Sequence, residues 1–254
     1  QTIQSMPDAS PTKWHRAHTT WFFETFVLTP HLAGYQPFRA EYAYLFNSYY
    51  EAVGPRHSRP MRGMITRPGI AAIAEYRAHV DEAMERLMRR DTPAEVLELI
   101  ELGLHHEQQH QELILMDVHH ALYQHPFPTG YGTIPWETAP PPEPRRVWRR
   151  YEGEVVDIGH AGDGFAFDNE GPRHRVLLQP FEIAESLVTC GEWMEFIADG
   201  GYRRAELWMS AGWAEVQAAG WRAPGYWYDV DVNGDWRVFG LDGLRAVDPD
   251  APVE

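Results

Sequence analysis

The sequence predicts an α+β fold in two parts, a helical bundle followed by a smaller mixed domain. Three observations carry that expectation. Residues 70–124 hold two runs of helical periodicity with start signals, residues 125–149 are rich in proline, and short alternating segments separated by turn-forming residues follow. The length of 254 residues suits one large domain or two ordinary ones, and a hydrophobic content of 44% is enough to bury a core.

In chain order, Ser10-Pro11-Thr12 reads as a helix start, with Ser10 as N-cap and Pro11 at the first helical position. The aromatic-rich run after it is expected to end at Pro30. Residues 39–50 suggest a shorter helical or irregular stretch, and residues 54–69, rich in Pro, Gly and Arg, an ordered loop. Residues 70–90 put Ile73, Tyr76, Val80, Met84 and Leu87 at helical spacing. Thr92-Pro93-Ala94-Glu95 reads as a capping box, opening a helix without a breaker to about Gln124, roughly 45 Å long. A bundle closes best with four helices. Only three candidates are present, so a fourth is expected before residue 1. The start at Gln1 and the loop-like DPDAPVE at the other end carry the same expectation, that of a fragment or one piece of a cleaved protein.

Beyond the connector, residues 148–158 alternate, 191–199 read as a short helix, and GYWYDVDVNGDWRVFG reads as a β-hairpin turning at Asn233-Gly234-Asp235. The expected organisation is a helix bundle over 1–125, a proline-rich linker over 126–150 and a mixed domain over 151–254.

Charge and composition exclude several classes. With 22 Lys+Arg against 37 Asp+Glu, the net charge of −15 argues against nucleic acid or an anionic membrane as partner. No apolar run approaches the roughly 20 residues of a membrane span, and the first residues have no signal-peptide pattern. A single cysteine, Cys190, cannot form an intramolecular disulfide, fits a reducing cytoplasm, and is expected to be a buried small residue.

The chemistry concentrates in HHEQQHQE at residues 105–112. His106 and His110 are four apart, with Gln109 three after His106, so all three project from one side of a helix. Two histidines at that spacing can chelate one metal ion. His106-Glu107-Gln108-Gln109-His110 also matches the HExxH pattern of zinc peptidases, in which Glu107 would be the general base. The competing reading is a solvated polar face. A second pair, in Trp14-His15-Arg16-Ala17-His18, could supply a third ligand from a facing helix. Imidazole ligands suit Zn, Fe or Cu without choosing among them. His105, His119 and His120 lie off the 106/110 face.

MPDASPTKWHRAHTTWFFE together with HHEQQHQE resembles the sulfoxide synthases of ergothioneine biosynthesis, and FAFDNEGPRHRVLLQPFEIAESLVTCGEWMEFIADGGY continues the likeness. That resemblance implies a DinB-like four-helix bundle followed by part of a domain like formylglycine-generating enzyme. It implies Fe(II) as cofactor, held by His18, His106 and His110, with Gln109 contacting the histidine-derived substrate and Glu107 reduced to a supporting role. The reaction implied uses O₂ to join a thiol to C2 of the imidazole of Nα-trimethylhistidine (hercynine), leaving a sulfoxide. A facial three-histidine iron would leave three positions open for the reactants.

The resemblance further implies a tyrosine as proton donor, either Tyr49 or Tyr50, and a carboxylate clamp for the thiol substrate at Arg56 or Arg59, with Arg62 as a neighbour. The tyrosine pair tilts the thiol towards cysteine over γ-glutamylcysteine. The expected partners are these small molecules and, as a separate chain, a remaining C-terminal piece of the same protein. The alternatives are an ovothiol- or selenoneine-type synthase, a DinB-like metal-dependent thiol transferase, and the zinc peptidase.

Overall fold

A computed structural model of the chain describes residues 2–133, 146–229 and 235–253. The fold is α+β and divides into two compact units, residues 1–124 with 162–169, and residues 125–161 with 170–254.

In the first unit, helix α1 (Thr12–Phe22) runs into one π-helical turn (Phe23–Leu28) and a last turn α2 (Thr29–His31), one residue beyond Pro30. Ser10 does not cap it. The residue before α1 is Pro11 in extended backbone, and the Ser10 hydroxyl accepts from Arg62 Nη1 at 2.9 Å instead. A short helix α3 (Tyr42–Leu45) falls within the irregular stretch, and two long helices follow, α4 (Ile70–Met88) and α5 (Ala94–Tyr123). Three long helices therefore build this unit. The fourth of a four-helix bundle is not among the described residues.

The capping box expected at residue 92 does not form. Thr92 Oγ1 donates to the carbonyl of Leu87 at 3.2 Å, closing the end of α4, while α5 starts after Pro93 without a side-chain cap. The periodicity of α4 holds: Ile73, Tyr76, Val80 and Leu87 are buried, and Met84 packs partly against them.

The core gathers around α1, which packs against both α4 and α5. It is aromatic, with Trp14, Trp21, Phe22, Tyr42, Phe46 and Tyr76 all buried. Two features set how α1 meets its neighbours. Gly103 lets α5 approach the π turn, because a Cβ there would lie 2.6 Å from the Phe23 ring. Glu24, buried in that turn, accepts from Tyr35 Oη at 2.7 Å, Tyr76 Oη at 2.7 Å and the Phe38 N–H at 2.9 Å. Three donors spread over the charge satisfy a carboxylate that would be costly to bury alone.

In the second unit, strand β1 (Trp148–Tyr151) pairs antiparallel with β4 (Phe181–Ala184), and β2 (Val155–Ile158) with β3 (His174–Leu177). Strands β5 (Trp227–Asp229), β6 (Trp236–Gly240) and β7 (Gly243–Ala246) form a three-stranded antiparallel sheet. The expected hairpin is β5–β6, with Trp227 opposite Val238. Residues 230–234 of its connection lie outside the described residues, as do residues 134–145 of the proline-rich stretch.

Helix α6 (Cys190–Ala198) starts at a capping box, in which Glu192 N donates to Thr189 Oγ1 at 3.3 Å and Thr189 N to Glu192 Oε2 at 2.9 Å. Cys190 is buried there, with Sγ 3.5 Å from the Pro252 carbonyl oxygen. Helix α7 (Ser210–Ala219) and strand β7 had no clear signal in the sequence. No helix among the described residues is long and apolar enough to cross a membrane.

Candidate metal centre

α1 and α5 face each other through histidines. His18 comes from α1, and His106 and His110 from successive turns of α5, one above the other. All three are buried, and one ring nitrogen from each lies within 4.8 Å of the other two. The i, i+4 spacing supplies two donors and the W-x-x-A-H element the third.

The rings are held, not merely close. His18 stacks between two indoles, Trp14 at 4.6 Å and Trp21 at 5.4 Å between ring centroids. Its Nδ1 lies 2.6 Å from the carbonyl oxygen of Phe46, which can only accept, so Nδ1 carries the proton and Nε2 is left bare. His110 Nδ1 lies 2.8 Å from His15 Nδ1, and His15 Nε2 lies 2.9 Å from Asp117 Oδ2. His106 packs on Phe22, and its buried Nδ1 has no hydrogen-bond partner among the described residues.

Burial sets the charge state. It holds His18 well below the ordinary imidazole value, lowers His106 to about 4, and, with help from His106, His15 and Arg62, lowers His110 to about 3. Near neutrality all three are uncharged and able to ligate. Three neutral imidazoles converging on one point, one carrying an orphaned buried nitrogen, fit a divalent transition metal.

The glutamate of the HExxH pattern is occupied elsewhere. Glu107 accepts from Arg77 Nη1 on α4 through both oxygens, at 3.0 and 3.1 Å. This bridge borders a cavity of about 260 Å³ that also touches His15, Thr19, His110 and Ile114. A carboxylate engaged in this way is not a free general base beside a metal, which removes the support for the peptidase reading.

The remaining expected residues separate. Among the described residues, no hydrogen bond or ring contact joins Gln109, Tyr49 or Tyr50 to the three imidazoles, and Gln109 is exposed on α5. Tyr49 is 68% exposed and its hydroxyl accepts from Arg59 Nη1 at 2.6 Å. Tyr50 is half-buried against Trp21, Phe22 and Phe26, and burial, reinforced by Asp168, raises its hydroxyl above the ordinary value.

Arg56 lies over the Tyr49 ring and donates to the Ser48 carbonyl at 2.7 Å. Arg62 differs from both loop arginines. It is buried, stacks 3.4 Å from the Trp14 ring centre and donates to Ser10 Oγ and Ser48 Oγ. It pins the loop to α1, with Nη1 and Nη2 turned to serines.

Of the other histidines, His105 stacks on Phe165 at 3.9 Å, and His120 Nδ1 meets Ser5 Oγ at 2.7 Å. The sequence reading missed Asp117, Glu24 and the return of residues 162–169 to the first unit. The first two are single acidic residues with no motif around them.

Comparison with known proteins places the chain among relatives. Residues 142–238 match the family described as sulfatase-modifying factor enzyme 1-like domain. Three curated relatives carry the name hercynine oxygenase. That of Mycolicibacterium thermoresistibile is 33% identical over 186 residues, covering 71% of this chain and 38% of that protein. The chain is a relative of the hercynine oxygenases. The Mycobacterium tuberculosis protein is 41% identical over 73 residues, 29% of this chain and 17% of its own length. The Mycolicibacterium smegmatis protein is 36% identical over 100 residues, 39% and 22% respectively. The chain thus spans well under two thirds of the hercynine oxygenases it matches.

Proposed function

We propose that this chain carries the metal centre of an iron(II)- and O₂-dependent hercynine oxygenase of ergothioneine biosynthesis, acting in the cytoplasm. In this reading a DinB-like bundle holds the metal, and a thiol, cysteine or γ-glutamylcysteine, is joined to C2 of the hercynine imidazole with formation of a sulfoxide. The single observation that carries it is the buried convergence of His18, His106 and His110, read together with the name shared by the three relatives. Bound Fe(II) would supply O₂ activation and a site for a soft thiolate, which redox-inert zinc cannot both provide.

The chain's own residues then take distinct parts. Trp14 and Trp21 hold the His18 ring in plane, and the Phe46 carbonyl directs its bare nitrogen inward. Of the tyrosine pair, Tyr50 is the proton donor we assign, because its shielded hydroxyl stays protonated, whereas Tyr49 is tied to Arg59. Arg56 and Arg59, on the loop face, receive the thiol substrate's carboxylate. Arg62 is withdrawn from that role by its burial against Trp14. Gln109 meets the imidazole substrate.

The test is anaerobic loading of the chain with Fe(II), then O₂ uptake with hercynine and each thiol in turn, the product being weighed by mass spectrometry. Uptake requiring both organic substrates, with a product mass equal to their sum less two hydrogens plus one oxygen, is expected. Stoichiometric Fe(II) binding without uptake for either thiol would overturn the assignment.

A further inference from the structure

We propose that Asp117 and His15 are positioning residues for the metal centre, fixing the tautomer of His110 so that its Nε2 is the atom offered to the metal. The inference rests on the three-histidine reading above and extends it outward from the metal.

The parts come from two helices and the turn before α1. Asp117 lies seven residues after His110 on α5, two turns along the same face. His15 precedes His18 by three residues on α1 and is buried. Asp117 Oδ2 receives the backbone N–H of Ser10 at 2.8 Å and faces His15 Nε2 at 2.9 Å. A carboxylate oxygen accepts, so His15 Nε2 carries the proton of that bond. In the proposal the His15 ring is neutral, with a bare Nδ1 that faces His110 Nδ1 at 2.8 Å. Two ring nitrogens at that distance need one proton between them, and His110 must supply it. Its Nδ1 is therefore the protonated nitrogen and its Nε2 the free lone pair.

In the proposal the donations run one way, from His110 through His15 to Asp117, which also accepts from the Ser10 N–H. Reversing any link would put a proton on the nitrogen that must bind the metal. His18 reaches the same tautomer through a single carbonyl, that of Phe46. His106 Nδ1 has no hydrogen-bond partner among the described residues. Outer partners of ligating histidines also raise ligand basicity, and their loss typically costs about 10–100-fold in metal affinity. The Arg77–Glu107 bridge borders the cavity beside His15 and His110, but among the described residues no carboxylate other than Asp117 is hydrogen-bonded to His15.

The test uses the 254-residue chain, with Co(II) as the probe. Asp117→Asn is close to isosteric and is expected to weaken Co(II) binding about 10–100-fold. The metal-free melting temperature should stay near that of the parent, with Asp117→Glu recovering most of the affinity. Long-range ¹H–¹⁵N spectra of the metal-free chain read the tautomer directly. His110 is expected as the Nδ1–H form in the parent and displaced from it in Asp117→Asn. An Nε2–H form in the parent, or parental Co(II) affinity in Asp117→Asn, overturns the proposal. His18→Ala separates the two levels of the argument. Parental Co(II) binding by that variant would overturn the three-histidine reading, and its loss leaves only the positioning role at issue.

Discussion

The two units reach order by different means. The first packs large aromatic side chains from α1, α3 and α4 into one core, with the buried carboxylate of Glu24 met by three donors. Among the described residues of the second, only Cys190, Val216, Trp227 and Phe239 are buried hydrophobics. Its first four strands leave Trp148, Tyr151, Val155, Ile158, Leu177, Phe181 and Ile183 exposed. What holds that unit is local: cross-strand pairs such as Tyr151 on Phe181 at 4.9 Å, the Thr189–Glu192 capping box, and Arg146 donating to Glu192. A rigid aromatic scaffold suits metal ligands, whose geometry must be in place before the metal arrives. Short strands with bare apolar faces instead make a surface that gains stability when covered.

Acid should divide the units most sharply. The unfolded chain titrates its histidines near 6.5, whereas folded His106 and His110 are held at about 4 and about 3. Between those values the unfolded state binds more protons, so the stability of the metal-free first unit is full above pH 6.5 and is lost as the pH falls towards 4 and then 3. Hydrogen exchange resolved by residue should show α1 and α5 losing protection over that range. If β5–β7 lost protection at the same pH, the contrast would be wrong.

Next in size is Glu24→Ala. It strips the acceptor from two tyrosine hydroxyls and one backbone N–H, at about 1–3 kcal/mol for each buried donor left unsatisfied. Thermal or urea unfolding should show a loss of several kcal/mol confined to the helical signal. A change no larger than that of an exposed helix substitution would mean that water replaces the carboxylate.

The smallest effect sharpens the other side. Thr189→Ala removes the hydroxyl of the capping box and should cost about 0.5–2 kcal/mol, felt within α6. Exchange of the first α6 amides should accelerate while His106 and His110 are unaffected. An effect reaching α5 would show the two units to be energetically coupled.

The histidine site was legible because local spacing encodes it. His106 and His110 share a helix face by arithmetic, and WHRAH announced a second pair near aromatic residues. The long helices followed from periodicity for the same reason. What escaped notice depends on partners far away in sequence. Ser10 and Thr92 are sound cap residues, but each hydroxyl found a tertiary or preceding-turn partner instead. Nothing in four nearby arginines tells which will be buried on Trp14, and only the fold singles out Arg62. Asp117 is one acidic residue among 37 Asp and Glu, and becomes distinct only when α1 brings His15 against it.

The stacking of His18 between Trp14 and Trp21 has an optical consequence. Both indoles stack on a ring that would ligate the metal, and both are excluded from water. An open-shell ion held there would drain their excited states, while a closed-shell ion such as zinc would leave them bright. The protein therefore carries an internal lamp beside its own metal site, able to tell not only whether that site is filled but with what kind of ion.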